Sequence, residues 1–133
     1  MKYLLDVNML VAWGWKDHVD HARAAHWILA QKSRKDTRLL TSAIPQLGFV
    51  RVSVQRSEGK LTPQQAGSVL AGMLASLGSC HDFLPDDQTS TDWPDWCRGA
   101  ARTTDAHLLA LARAHQAELA TLDKGIPGAL CIP

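Results

Sequence analysis

Short apolar runs alternate along the chain with longer segments in which hydrophobic residues recur every three or four positions. The apolar runs predict buried strands at 3–5, 39–41 and 119–122, with further strands at 81–84 and 129–132. Strands that alternate with helices favour a mainly parallel sheet with helices on both faces. The pattern therefore predicts an α/β fold with four to five short strands. Because no repeat or linker interrupts the pattern, we expect residues 1–133 to form a single domain.

Capping residues and apolar spacing define the predicted helices. The clearest helix follows Thr62, where Pro63 and Gln65 complete a capping box, and its apolar stripe runs to Leu77 before Gly78 ends it. Other helices are predicted after Asp17, after Ser42 and after Thr103 or Thr104, with a weak short helix at 96–101. Their predicted core-facing positions are Val19, Ala22, Ala25, His26 and Leu29; Ile44, Leu47, Val50 and Val54; and Leu108, Leu111 and Ala112. Residues 6–8 and 85–94 are expected to be loops, and Gly48 is expected to cost its helix about 1 kcal/mol relative to alanine.

The composition is that of an ordered domain, with 46% hydrophobic and 20% charged residues. The formal charge of +1 gives no bulk attraction to a polyanion, so any nucleic-acid binding must come from local patches. No apolar run approaches the roughly 18 to 20 residues that span a bilayer, and Asp6 interrupts the N-terminus before a signal sequence could form. We therefore expect a cytoplasmic protein with no membrane partner. Cys80, Cys97 and Cys131 form no CxxC motif and are interpreted as reduced structural thiols.

Three aspartates stand where a parallel sheet collects functional groups, outside the carboxyl ends of its strands. Asp6 and Asp123 follow predicted strands, and Asp105 lies in the first turn of a predicted helix. Taken singly, Asp105 could favour the positive end of its helix, and Asp123 could be a turn residue. Brought together, three carboxylates repel one another, and protonation or a hard divalent cation relieves the repulsion. Oxygen ligands alone suit Mg²⁺ or Mn²⁺.

Four segments of the chain resemble the signature blocks of the PIN-domain family, in order and in spacing. They are residues 4–8 (LLDVN), 45–52 (PQLGFVRV), 104–112 (TDAHLLALA) and 119–125 (LATLDKG). Within that family the chain looks most like the VapC-type toxin ribonucleases of bacterial toxin-antitoxin pairs, and the resemblance covers essentially the whole sequence. It implies a metal-dependent endoribonuclease that holds Mg²⁺ or Mn²⁺ against the scissile phosphate of RNA.

The resemblance also implies roles for individual residues. Asp6 and Asp105 match the principal metal ligands, and Asp123 matches a further catalytic acid that could orient the attacking water. Asn8 and Thr121 match polar neighbours that shape the pocket. The implied partners are an RNA substrate, a cognate antitoxin protein and a second copy of the chain in a homodimer.

Gln46 departs from the family pattern, because many members have a glutamate at that pocket position. An amide oxygen is neutral and attracts a cation more weakly than a carboxylate. We therefore expect a single divalent ion, and we expect Gln46→Glu to tighten its binding by about 1 kcal/mol. The same departure supports an alternative, a catalytically weakened PIN domain that works by binding RNA or a partner protein. A receiver or phosphatase fits poorly, because Asn8 supplies only an amide where a second acid is needed.

Several other conspicuous residues have two interpretations. Arg51, Arg56, Arg102 and Lys124 could hold the RNA backbone or could be solvated surface charges. The spacing of His18 and His21 would allow a zinc site, but a solvated helix start explains both residues. Core packing or a partner groove explains Trp13, Trp15 and Trp27 better than base stacking does. Asp86 and Asp87 are expected to be surface acids.

Overall fold

The structure, a computed structural model, describes all 133 residues and contains one parallel five-stranded sheet and five α-helices. The strands are β1 (Lys2–Leu5), β2 (Arg38–Thr41), β3 (His81–Phe83), β4 (Glu118–Thr121) and β5 (Leu130–Cys131). The helices are α1 (Val7–Gly14), α2 (His21–Lys32), α3 (Ala43–Arg56), α4 (Pro63–Ser76) and α5 (Thr103–Ala114). All four strand pairings are parallel. The predicted α/β class and parallel sheet are therefore confirmed.

Helices cover both faces of the sheet, as predicted. Tyr3 and Leu5 belong to a core shared with α1, α2, α3 and α4, whereas Leu4 packs with Leu108 and Leu111 of α5 on the opposite face. Because both faces are covered, consecutive residues of β1 are buried, and the strand reads as an unbroken apolar run.

The order of the strands, β3-β2-β1-β4-β5, places β1 at the point where the topology changes direction. The chain first builds outward from β1 through β2 to β3, then returns to place β4 on the other side of β1. Ligand sites in open α/β sheets form at such a switch point, beyond the carboxyl ends of the strands. Leu5 of β1 is in register with Ala120 of β4, so the next residues, Asp6 and Thr121, lie side by side.

Helix α1 was not predicted, because the sequence after Asp6 was interpreted as a loop. Four consecutive residues of this helix are buried, namely Met9, Leu10, Val11 and Ala12. A helix surrounded by other elements has no polar face, so it lacks the periodic pattern that identifies a surface helix. The one local signal is Asp6, whose side chain caps the helix by accepting a hydrogen bond from the backbone N–H of Val7.

The predicted face of α2 was wrong, and that of α3 was right only in part, because Ile44 and Val50 are half-buried against the core. Helix α2 begins at His21 rather than after Asp17, so Val19 is 93% exposed, and Leu29 is 66% exposed. Its buried residues are Ala24, Trp27, Ile28 and Gln31. In α3 the buried residues are Pro45, Gly48, Phe49 and Ser53, and the predicted core residue Leu47 is 67% exposed.

Gly48 explains part of that difference. A Cβ atom at this position would lie 2.7 Å from a methyl carbon of Val7, so the glycine lets α3 cross close to the start of α1.

Capping at α4 is as predicted, and capping at α5 is not. The Thr62 hydroxyl accepts from the Gln65 N–H, and the Gln65 side chain accepts from the Thr62 N–H. Helix α5 begins at Thr103 without a side-chain cap, and the hydroxyl of Thr103 donates to the carbonyl of Ala100 instead. The short helix predicted at 96–101 is absent, and a 3-10 turn at Ala100–Arg102 overlaps only its last two residues. Val69, which belongs to the apolar stripe predicted for α4, is 46% exposed.

The three cysteines are free thiols, as expected from their spacing. None of the five helices combines the length and apolar character needed to cross a membrane.

Candidate active site

Asp6 lies at the carboxyl end of β1 and is only 4% exposed. Its two carboxylate oxygens are both held: Oδ1 accepts the Val7 N–H at 2.7 Å, and Oδ2 accepts the Thr121 hydroxyl at 2.7 Å. Burial raises the pKa of Asp6, the hydrogen bonds from Thr121 and Val7 oppose that rise, and the nearby charge of Asp123 adds to it. The carboxylate is therefore fixed in position but poorly solvated.

Thr121, the last residue of β4, links three other polar groups of the site. While its hydroxyl proton goes to Asp6, its oxygen accepts the Asn8 amide at 3.1 Å and the Asp123 N–H at 3.1 Å. The side-chain oxygen of Asn8 accepts the Leu122 N–H at 3.1 Å. The predicted pocket neighbours Asn8 and Thr121 thus form one network that joins the start of α1 to the end of β4.

Asp105 lies in the first turn of α5, and Arg102 precedes it by one turn. Burial raises the pKa of Asp105, the charges of Asp6 and Asp123 raise it further, and Arg102 opposes the rise. The distance from Arg102 Nε to Asp105 Oδ2 is 3.8 Å. Arg102 also donates to the carbonyl of Gly125 and lies 5.3 Å from the ring centroid of Trp96. Arg102 is therefore an internal counter-ion.

Asp123 stands two residues beyond β4, and a turn that follows it explains one of the roles of its side chain. Its Oδ1 accepts the Gly125 N–H at 2.7 Å, which is the turn role that the sequence left open. Its charge nevertheless raises the pKa values of both Asp6 and Asp105, so the three carboxylates interact electrostatically. No three His, Cys, Asp or Glu side chains converge into a ready-made metal-binding group.

A cavity of about 430 Å³ opens between these elements, and it brings two of the three acids together. The acidic lining comes from Asp6 and Asp105, and the basic lining comes from Arg51 and Arg56 of α3 with His18 from the connection between α1 and α2. The complete lining is Asp6, Val7, Asn8, Val11, His18, Arg51, Val52, Arg56, Thr104 and Asp105. The cavity thus contains carboxylates suited to a cation and cations suited to an anionic ligand.

The predicted RNA-binding residues fall into distinct environments. Arg51 is exposed at the cavity, and its side chain makes no hydrogen bond or ion pair within the chain. Arg56 also lines the cavity, but it pairs with Asp17 at 3.2 Å and lies 5.0 Å from the ring centroid of Trp15. Arg102 is engaged with Asp105, and Lys124 is exposed outside the cavity lining. Of the basic residues that line the cavity, Arg51 is therefore the one most available to a ligand.

Gln46 does not line the cavity. Its amide nitrogen donates to the hydroxyl of Thr41 at 3.0 Å, and the same hydroxyl is 2.7 Å from Nε2 of His81. Burial lowers the pKa of His81, which favours the neutral imidazole in this network. The amide is thus directed along the end of β2 rather than toward Asp6 and Asp105.

Two sets of residues lie elsewhere than the sequence indicated. The imidazole of His21 donates from Nδ1 to the carbonyl of Ala12 at 2.9 Å, so it joins α2 to α1 and is not part of a solvated helix start. Asp86, expected at the surface, is 2.6 Å from the Nε2 atom of His107, and both side chains are nearly nine-tenths buried. This contact docks the loop after β3 onto α5.

Trp27 packs edge-on against Tyr3 in the core, as expected.

Comparison with known proteins matches the chain to one family and to several related proteins. The profile of the PIN domain matches residues 3–128. Ribonuclease VapC39 of Mycobacterium tuberculosis is 38% identical over 132 residues, which cover 95% of this chain and 91% of the relative. Ribonuclease VapC38 of the same species is 38% identical over 129 residues (92% and 86%), and Ribonuclease VapC29 is 33% identical over 127 residues (95% and 89%).

Proposed function

The chain belongs to the PIN domain family, and we propose that it is a metal-dependent endoribonuclease, the toxin of a VapBC-type toxin-antitoxin pair. The observation that carries this proposal is the cavity in which Asp6 and Asp105 lie beside the unpaired cation Arg51. An acidic centre with a basic margin suits a phosphodiester, whose charge requires a cation at the reacting group and basic side chains along the backbone.

Asp6 and Asp105 would hold the divalent cation, Mg²⁺ or Mn²⁺. Their donor set fits, because both groups offer oxygen and both have pKa values raised by burial and by neighbouring negative charge. A bound cation would relieve that repulsion. When present it supplies Lewis-acid polarisation of a phosphate and lowers the pKa of its water ligands.

The remaining roles fall to residues of the chain itself. Thr121 fixes the orientation of the Asp6 carboxylate, and Asn8 in turn orients Thr121. Arg102 restrains Asp105. Asp123 would orient the attacking water, and Arg51 would hold a phosphate of the RNA, with Arg56 beside it. Arg102 and Lys124 would contact RNA only at the margin of the site.

The test is cleavage of RNA by the purified protein with Mg²⁺ or Mn²⁺, and with EDTA. We expect cleavage that stops with EDTA and is abolished by Asp6→Asn and by Asp105→Asn, with circular dichroism confirming that both variants fold. Retained cleavage by folded Asp105→Asn would overturn the assignment. A wild-type protein that binds RNA tightly without cutting it would support the alternative, a catalytically weakened domain that works by binding.

We also propose the partners that the family resemblance implies, namely a cognate antitoxin and a second copy of this chain, in the cytoplasm, with residues 1–133 as one domain. The antitoxin is tested by adding the product of the neighbouring gene to the cleavage assay. Failure to inhibit would count against the toxin role. Sedimentation at high concentration tests the homodimer, and a monomer there would exclude it.

A further inference from the structure

His18 lies in the short connection between α1 and α2 and lines the same cavity as Asp6 and Asp105. The site described above gives it no role. The connection is ordered by two backbone hydrogen bonds, from the N–H of His18 to the carbonyl of Trp15 and from the N–H of His21 to the carbonyl of His18, each 3.0 Å long. The position of the imidazole at the cavity is therefore set by the fold.

The imidazole of His18 is held in one tautomer. Its Nδ1 accepts the backbone N–H of Asp20 at 3.0 Å. Since a backbone N–H can only donate, Nδ1 must carry a lone pair, and the proton of the neutral ring is on Nε2. Nε2 makes no hydrogen bond within the chain. The ring thus offers one fixed N–H donor with no protein acceptor.

Two basic side chains that line the same cavity, beside the carboxylates of Asp6 and Asp105, favour an anionic acceptor for that donor. Arg51, which lines the same cavity, is also without a partner in the chain. Arg56 adds a second positive charge, and the guanidinium of Arg56 is held by Asp17 and Trp15. A phosphate oxygen only accepts hydrogen bonds, so it can take the histidine N–H and an arginine N–H together.

We propose that Nε2–H of His18 donates a hydrogen bond to a phosphate oxygen of RNA bound in this cavity, next to Arg51. The inference rests on the proposed function, because it requires RNA as the ligand. His18 is then a substrate-contacting residue whose Nδ1 serves to aim its Nε2. A contact to the phosphate backbone carries no base information, so its loss should weaken binding equally for RNAs of different sequence.

Two substitutions distinguish the roles of the two imidazole nitrogens of His18. The side-chain oxygen of asparagine can replace Nδ1 as acceptor for the Asp20 N–H, but asparagine does not reach the position of Nε2. Glutamine can reach that position with its NH₂ group. In the Asp105→Asn background, with EDTA present, fluorescence anisotropy with two short RNAs of different sequence should show about tenfold weaker binding for His18→Asn, the loss of one hydrogen bond to a charged group. His18→Gln should stay within about threefold of the background protein.

His26→Asn is the matched control, because His26 is exposed on α2 and lines a different cavity, next to Arg34 and Pro133. Melting temperatures report whether each variant folds. A second measurement needs no substitution at His18: addition of RNA should shift the imidazole Nε2 resonance of His18 and leave that of His26 unchanged.

The outcomes distinguish this inference from the function on which it rests. A wild-type protein that neither binds nor cleaves RNA would overturn both. If the wild type cleaves RNA but His18→Asn binds as tightly as the background protein, or the His18 resonance does not move, only the contact is excluded. Weaker binding by His18→Gln than by His18→Asn would show that His18 acts through Nδ1 alone, and that would also overturn the proposal.

Discussion

The hydroxyl of Thr121 donates a 2.7 Å hydrogen bond to Oδ2 of Asp6, and it joins the carboxyl ends of β4 and β1 at the switch point of the sheet. Both residues are buried. A hydroxyl has a single proton, so the two groups that donate to Thr121, Asn8 and Asp123 N–H, ensure that this proton faces Asp6.

Thr121→Val should therefore impair the site, and Thr121→Ser should preserve it. Valine leaves the Asn8 amide and Oδ2 of Asp6 without their partner, and we expect a loss of about 1–3 kcal/mol in the free energy of unfolding, measured by urea denaturation. Because the Thr121 hydrogen bond lowers the pKa of Asp6, the valine variant should also need a higher pH to reach full RNA cleavage. Equal stability and equal pH profiles for the two variants would contradict this role of the hydroxyl.

Asp105→Asn should stabilise the metal-free protein at neutral pH. Burial and two neighbouring carboxylates raise the pKa of Asp105 in the folded state, so the folded protein binds the proton more tightly than the unfolded chain does. Stability from this group is present at low pH and is lost as the pH rises through the raised pKa. In EDTA at pH 7, we expect the melting temperature of Asp105→Asn to exceed that of the wild type by about 2–4 °C.

Two changes of condition serve as controls for that prediction, namely a lower pH and the addition of a divalent cation. At a pH below the ordinary pKa of aspartate, Asp105 is protonated in both folded and unfolded chains, so the two melting temperatures should converge. Added Mg²⁺ should raise the melting temperature of the wild type and leave the variant nearly unchanged, since a ligand stabilises only the state that binds it. A variant that melts below the wild type in EDTA at pH 7 would show that the pair with Arg102 outweighs the repulsion.

Gly48→Ala should destabilise the protein, although alanine favours helices. The added Cβ would lie 2.7 Å from a methyl carbon of Val7, next to Asp6, so the branched Val7 side chain or one of the two helices must shift. We expect a loss of about 1–3 kcal/mol, the usual cost of overpacking, together with reduced cleavage. Gly67→Ala is the matched control in α4, where no atom lies within 4 Å of the added Cβ, and it should stabilise by up to about 1 kcal/mol. Two variants of equal stability would mean that α3 does not depend on this close approach.

The strands and the acids after them could be predicted from the sequence because their signals are local. An apolar run that ends at Asp6 or at Asp123 needs no knowledge of the rest of the chain. Helix α1 could not be found in this way, since it is buried on all sides and its apolar residues are consecutive.

Contacts between distant segments of the chain could not be predicted from the sequence either. Nothing local in the sequence indicates that Asp86 meets His107, that Arg102 donates to the carbonyl of Gly125 or that His18 enters the cavity. The directions of the side chains on α3 depend on how closely Gly48 lets that helix approach α1. For this reason the block containing Gln46 was correctly placed on a helix, whereas its orientation required the structure.

Gln46→Glu should change the network at the end of β2 more than it changes metal binding. The Gln46 amide donates to Thr41, whose hydroxyl is also 2.7 Å from Nε2 of His81, and Gln46 does not line the cavity with Asp6 and Asp105. A carboxylate there can accept the Thr41 proton, and its charge should raise the pKa of His81, which burial lowers in the wild type. We expect calorimetric titration with Mn²⁺ to give affinities within about threefold of each other for the two proteins. A direct ligand would change the affinity by about fivefold or more, which corresponds to about 1 kcal/mol or more. NMR titration of the His81 ring should show the higher pKa in the variant. An unchanged His81 pKa together with a gain of about fivefold or more in Mn²⁺ affinity would place the residue at the metal, as the family resemblance implies.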